Sequence, residues 1–343
     1  MKTRLEGIDV LRGVAALSVT MFHFSWSYGN VRDGTFTPSF SFVSGRYGVD
    51  LFFMISGFVI FMTLERSHRL LDFAVSRFAR LYPAFWTALL LAIVALSLDG
   101  RPTPSFGTIV ANVTMVPGFF GEPLIDQPYW TLAYEILFYF LAAGFFFLSG
   151  RSDPEIACVG WLLISVLMMG YVPSLMKMMA APCSYLFVTG IMVYRVLHNR
   201  SNYTSYAVLV TAIFISTRIP FSPNEHISGL LCGALTSAFA MVLWLGGQVR
   251  LPRHCRLLVY LGEISYVLYL IHDQFGLTML HAATALGLPP DLSIITVLLL
   301  VLGTAGAINA IVERPAQRWI KNYFLHHNRA AQLLVIGRIG RGV

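Results

Sequence analysis

The sequence predicts an all-α, polytopic integral membrane protein of about ten transmembrane helices with both termini cytoplasmic. Three observations carry that expectation. Of 343 residues, 56% are hydrophobic and only 12% are charged, about half the charge of a soluble protein and too little to cover a water-facing surface. Apolar runs long enough to cross a bilayer recur from the first ten residues to about residue 312. Lysine and arginine gather in alternate connections between those runs. A soluble enzyme is excluded. The net charge of +7 is scattered over short loops, so it does not form the continuous basic face that nucleic acid requires.

The predicted spans follow in order, each bounded by charge, Pro or Gly. The first, Ile8–Tyr28, begins in MKTRLEGIDVLRGVAAL, a basic opening and apolar run like a signal peptide. It lacks a small-residue cleavage site and contains Arg12 and His23, so it is read as a retained span. Spans Tyr47–Leu64 and Leu81–Leu98 are joined by a connection carrying Arg66, Arg69, Arg77 and Arg80. The longest connection, Asp99–Pro128, is rich in Pro and Gly and suits a cap over an outward-facing pocket. Then come Tyr129–Leu148, Glu155–Val172, Ala181–Leu197, the short Tyr203–Thr217, Ser228–Gly246, the long Leu257–Ala283 and Leu292–Val312.

With the amino terminus inside, 18 of the 24 Lys and Arg residues fall on cytoplasmic segments. Only Arg32, Arg46, Arg101, Lys177 and Arg218 fall outside, and Arg12 lies within the first span. An even number of spans and a cytoplasmic amino terminus follow. Residues 1–321 form one transmembrane domain, and 322–343 a basic tail suited to an anionic lipid surface. There is no low-complexity tract and no internal repeat of the transporter kind. Cys158, Cys183, Cys232 and Cys255 show no ligand spacing, so neither a disulfide framework nor a zinc site is expected.

Charges inside such spans mark function by default. Arg12 and His23 are eleven residues apart, close to three whole turns, so they share one helix face about 16 Å apart along the axis. A neutral imidazole can take a proton from a hydroxyl near physiological pH; the plain alternative is a histidine bonded between helices as packing. Arg12 can bind a phosphate or a thioester carbonyl, or else snorkel to the interface or pair with Asp9. Arg77 and Arg80, at i and i+3, suit the phosphates of a coenzyme, or serve only as orientation charges. Glu135, early in an otherwise apolar span, needs a proton or a cation. It can orient His23 as triad acids do, bind acceptor hydroxyls, or pair structurally. Asp50 opens the second span. Tyr266 and His272, flanked by Glu263 and Asp273, sit at a depth that suits a polar outer cavity. The plain alternatives are a charge at a helix start and interface anchoring. His281 carries no assignment, and an internal pair at a helix stop explains Glu313-Arg314-Pro315.

Taken together, these blocks resemble the membrane acyltransferase family 3. Arg12 and His23 match its Arg-x10-His signature. GVDLFFMISGFVI (Gly48–Ile60) is similar to its second-span motif, and RFARLYP (Arg77–Pro83) carries its Arg-x-x-Arg. YWTLAYEILFY (Tyr129–Tyr139), LGEISYVLYLIH (Leu261–His272) and VERP (Val312–Pro315) resemble its later motifs, in the same order. The resemblance implies transfer of an acyl group, by default acetyl, from cytoplasmic acyl-CoA to a hydroxyl of an exported or surface glycan, at the bacterial inner membrane. It implies His23 as general base with Glu135 in the active site. Arg12, Arg77 and Arg80 would contact acyl-CoA, and Asp50, Tyr266 and His272 are assigned to the acceptor. No bound cofactor and no metal are expected; acyl-CoA is the donor substrate. A transporter or flippase of a sugar-containing solute is the alternative from another class.

Overall fold

A computed structural model describes residues 5–150, 153–167, 181–218, 229–249, 252 and 255–326. Among these the regular structure is helical, with no strand. The basic tail beyond 326, together with Lys2, Arg4, Arg151, Lys177, Arg250 and Arg253, lies outside the described residues, as do the predicted span ends at Val172 and Ser228.

Helix α1 (Glu6–Phe22) starts with Glu6 and Asp9 in its first turn, where carboxylates complement the helix dipole. It runs on through a wider π-helical stretch, His23–Arg32, so His23 stands where the backbone changes gauge, a frequent setting for functional side chains. A 3-10 turn, Val43–Tyr47, leads into α2 (Gly48–Arg66). Helix α3 (Leu70–Leu98) starts well before the predicted Leu81 and contains Pro83 in its interior. The proline removes one backbone donor, a loss that packed neighbours in a bundle tolerate. Arg77 and Arg80 are therefore helical residues of α3.

The long connection is ordered. Ser105 caps α4 (Phe106–Val113) by accepting from the Thr108 N–H at 3.1 Å. Asn112 then pins the loop, donating to the Pro123 carbonyl at 2.8 Å and accepting from the Ile125 N–H at 3.1 Å. Helices α5 (Trp130–Leu148), α6 (Pro154–Leu167), α7 (Ser184–Leu197), α8 (Tyr203–Ser216) and α9 (Gly229–Gln248) follow. The predicted ninth span is two helices, α10 (Arg256–Ile271) and α11 (Gln274–Ala285), interrupted at His272 and Asp273. Helix α12 (Pro290–Ile308) passes through a π-helical turn, Asn309–Glu313, into α13 (Arg314–Lys321).

Among the described residues, six helices are by length and composition apolar enough to cross a membrane: Glu6–Asn30, Val43–Arg66, Leu70–Leu98, Gln127–Leu148, Gly229–Gln248 and Pro290–Phe324. Three shorter apolar helices, Pro154–Leu167, Ala181–Leu197 and Tyr203–Ser216, accompany them. Large apolar side chains such as Leu90, Phe140, Leu148, Ile156, Leu299 and Ile311 face outward, as a lipid-facing surface requires.

Two glycine crossings set the centre. At the crossing of α1 and α10, a Cβ on Gly262 would overlap the Asp9 carbonyl and one on Gly13 would meet the Gly262 backbone. At the crossing of α2 and α7, Gly57 lies on the Phe187 carbonyl and Gly190 on that of Met54. Small residues let helix backbones approach where no hydrophobic force drives association. A buried ionic knot fastens the far side of the bundle: Arg195 donates to Glu155 at 3.1 Å and to Asp153 at 2.9 Å, and Ser205 donates to Glu155.

Candidate active site

Helix α1 presents Arg12 and His23 along one face, and its neighbours build a polar hollow at each end of that face. At the Arg12 end lies a narrow cavity of about 100 Å³. Its polar lining is Arg12, Ser56, Arg77, Arg80, Thr131, Glu135, Tyr139, Tyr266 and Tyr269; the remainder is Val, Ile, Leu and Phe, mostly from α2. A second hollow of about 500 Å³, wider and more open, shares Arg12 and Arg80 with it. The two spaces meet at these guanidiniums.

Arg80 is held on two sides. It forms an ion pair with Glu313 and lies 5.3 Å from the centre of the Tyr266 ring. Arg12 and Arg77 are both close enough to repel it, so three like charges converge on one cavity wall. Glu135 accepts from the hydroxyls of Tyr139 and, at 3.2 Å, Ser56. The Tyr266 hydroxyl donates to the Leu81 carbonyl at 3.0 Å, against the Pro83 turn.

At the other end, His23 Nδ1 stands 3.2 Å from Asp273 Oδ1. Its ring meets His272 edge-on at 4.9 Å. His272 is fully buried, with Nδ1 2.6 Å from the Tyr269 carbonyl. That acceptor places the proton on Nδ1, and Nε2 has no hydrogen-bond partner among the described residues. Asp126, from the long connection, accepts the Gln274 N–H at 3.3 Å, capping the start of α11 beside Asp273. Burial first and the Asp273 carboxylate second hold Asp126 well above the usual carboxylate range. A third hollow, of about 380 Å³, is lined here by Arg32, Arg101, Gln127, Asp273 and Gln274 among others. Asp273 thus touches both the imidazole and this hollow.

The arginine cavity and the histidine pair meet at Tyr269. Its side chain lines the cavity and bonds to Thr131 at 3.0 Å, while its ring lies 5.3 Å from that of His272. His23 itself is not among the cavity-lining residues.

The predicted site residues divide accordingly. Arg12, Arg77, Arg80 and Glu135 come together. Glu135 is with the arginines, and the carboxylate against His23 is Asp273, which the sequence marks only as a neighbour of His272. The acceptor trio is not brought together. Tyr266 joins Arg80, because six residues turn a helix by about 240° and send Tyr266 and His272 to different faces. Asp50 is close enough to Cys183 and Tyr185 to act on them electrostatically. Glu313 and Arg314, adjacent in sequence, point apart: Glu313 pairs with Arg80 and Arg314 with Glu263. His281 binds Asp99 at 2.9 Å, tying α11 to the end of α3. Asp126 had no signal beyond being an acid in a long loop.

A helical membrane bundle with an arginine-lined cavity at one end of α1 and a His23–His272–Asp273 cluster at the other defines an integral membrane protein with a polar internal site. The chain belongs to the acyltransferase family 3, whose acyltransferase domain matches residues 5–312. It is similar to the exopolysaccharide production protein ExoZ of Rhizobium meliloti, 28% identical over 296 residues, which are 81% of this chain and 91% of that one. It is also similar to the peptidoglycan O-acetyltransferase OatA of Listeria monocytogenes, 29% identical over 199 residues, 49% of this chain and 29% of that one. The acyltransferase MdmB of Streptomyces mycarofaciens is 29% identical over 146 residues, 40% of this chain and 38% of that one. The chain therefore aligns with most of ExoZ and with well under half of the other two. No solved structure matches it.

Proposed function

We propose that this protein is an acyl-CoA-dependent O-acetyltransferase of the bacterial inner membrane, acting on a hydroxyl of an exported or cell-surface polysaccharide. In this reading the six long helices, the three shorter ones and the interrupted α10–α11 pair make ten crossings with both termini cytoplasmic. The Arg12 end then faces the cytoplasm. Acyl-CoA enters there, its phosphates meet Arg77 and Arg80, and its pantetheine arm passes Arg12 toward Tyr269. The arm is about as long as the 16 Å offset along α1. The acceptor approaches through the hollow at Asp273.

His23 removes the acceptor proton while Asp273 holds its Nδ1 edge. The alkoxide oxygen attacks the thioester carbonyl, the C–S bond breaks, and the thiolate leaves to take up a proton as free coenzyme A. Holding both reactants in one enclosed space supplies much of the rate. A relay in which His23 first carries the acyl group obeys the same geometry. The observation that carries the proposal is the placing of Arg12 and His23 at opposite ends of one helix face, Arg12 lining the arginine cavity and His23 standing against Asp273, which lines the hollow at the other end. The identity of the relatives supports a polysaccharide acceptor.

The test is transfer of label from acetyl-CoA to glycan by purified protein in liposomes. His23→Ala is expected to insert and fold yet transfer nothing; full transfer by that variant would remove His23 from the mechanism. One feature favours the alternative of a transporter or flippase: the helix break at His272 and Asp273, of the kind that lines solute sites. That reading expects movement of unmodified solute without dependence on acyl-CoA.

A further inference from the structure

The open hollow next to Arg12 and Arg80 takes three of its five cationic residues from α13, which beyond Pro315 lies outside the motifs quoted above. In α13, Arg314, Gln317, Arg318 and Lys321 fall at i, i+3, i+4 and i+7 and so share one face. All four line that hollow. The helix is held in this rotation from behind: Ile320 is buried against Val75 and Ala79 of α3, and Trp319 points outward.

Five cations of this hollow, Arg12, Arg80, Arg314, Arg318 and Lys321, face three carboxylates, Asp9, Glu263 and Glu313. Glu313 pairs with Arg80 and Glu263 with Arg314. Gln317 also donates to Glu313 at 3.0 Å, which anchors the start of α13 over the mouth. The positive surplus therefore lines an open hollow that shares Arg12 and Arg80 with the arginine cavity. A surface that only orients the chain or meets lipid would instead spread its charge over the outside of the helix.

We infer that the α13 face is the subsite for the phosphates of the nucleotide half of the donor, with Arg318 and Lys321 as its main contacts. This rests on the donor reading above and extends it. Arg77 and Arg80 alone would have to serve every phosphate of coenzyme A; α13 adds a separate anchor at the mouth, where guanidinium and ammonium groups suit a phosphate monoester.

The experiment compares acetyl-CoA with acetyl-pantetheine, a donor that lacks the nucleotide, using the full chain in phosphatidylcholine liposomes. Arg318→Gln/Lys321→Gln is expected to raise the KM for acetyl-CoA at least about tenfold, two charged contacts being lost, while moving that for acetyl-pantetheine less than twofold. The charge-retaining Arg318→Lys/Lys321→Arg variant should recover most of the loss and shows that α13 still folds. Equal effects on both donors, or on neither, overturn the subsite. An effect that appears only when phosphatidylglycerol is added assigns the face to lipid and also overturns it. If the unaltered protein transfers from neither donor, the enzymatic reading fails by itself. Binding of adenosine 3′,5′-bisphosphate to the unaltered and doubly substituted proteins then decides the subsite, which requires the tighter binding to be lost with Arg318 and Lys321.

Discussion

An imidazole is useful as a base only if its second nitrogen is held, and in this protein Asp273 stands against that nitrogen of His23 at 3.2 Å. Asp273→Asn keeps the shape and removes the charge. It should lower kcat by roughly 10²- to 10⁴-fold with the KM for acetyl-CoA within twofold, and Asp273→Glu should restore part of the rate. A proportional rise in KM would show that Asp273 serves binding instead. Glu135 sits with Arg12, Arg77 and Arg80, so Glu135→Gln is expected to change the KM for acyl-CoA more than that for the acceptor, measured by initial rates. Arg12 with His23, and Arg77 with Arg80, were readable because spacing within one helix defines a face. The Asp126–Asp273–His23 cluster was not, since three distant segments meet there and no local pattern encodes their approach.

Among the elements, the glycine crossings locate the site by fixing how closely α1 meets α10 and α2 meets α7. Gly262→Leu places a side chain where the Asp9 carbonyl lies. It is expected to cost at least 1–3 kcal/mol, seen as a lower melting temperature and less monodisperse protein in detergent. Gly144→Ala, at a helical position with nothing within 4 Å, should instead be neutral or stabilising by up to about 1 kcal/mol. Most helices were legible from apolar runs bounded by charge and Pro. Two boundaries were not. Helix α3 extends back from Leu81 to Leu70 because Pro83 is accommodated inside it, and the ninth stretch breaks at His272 and Asp273. In that stretch the polar pair is uninformative by itself; its contacts with His23, Tyr269 and Asp126 hold the break in place.

At the scale of the whole molecule, the proposed orientation puts the α4 loop outside and α13 inside. In a background with the native cysteines replaced, a cysteine at Phe120, which is 62% exposed, should react with an impermeant maleimide in intact cells. One at Gln317 should react only in inverted vesicles. The reverse pattern would place the arginine hollow on the wrong side for cytoplasmic acyl-CoA.

Membrane residence, an all-helical architecture, the order of the motifs and the pairing of Arg12 with His23 are determined by the sequence alone. Each depends on composition or on a period of 3.6 residues, and both are local. Which carboxylate serves His23, which ion pairs close the basic mouth and where Tyr266 points were decided by tertiary structure. Those contacts arise between helices far apart in the chain, and their partners are chosen by how closely two glycines let two backbones approach.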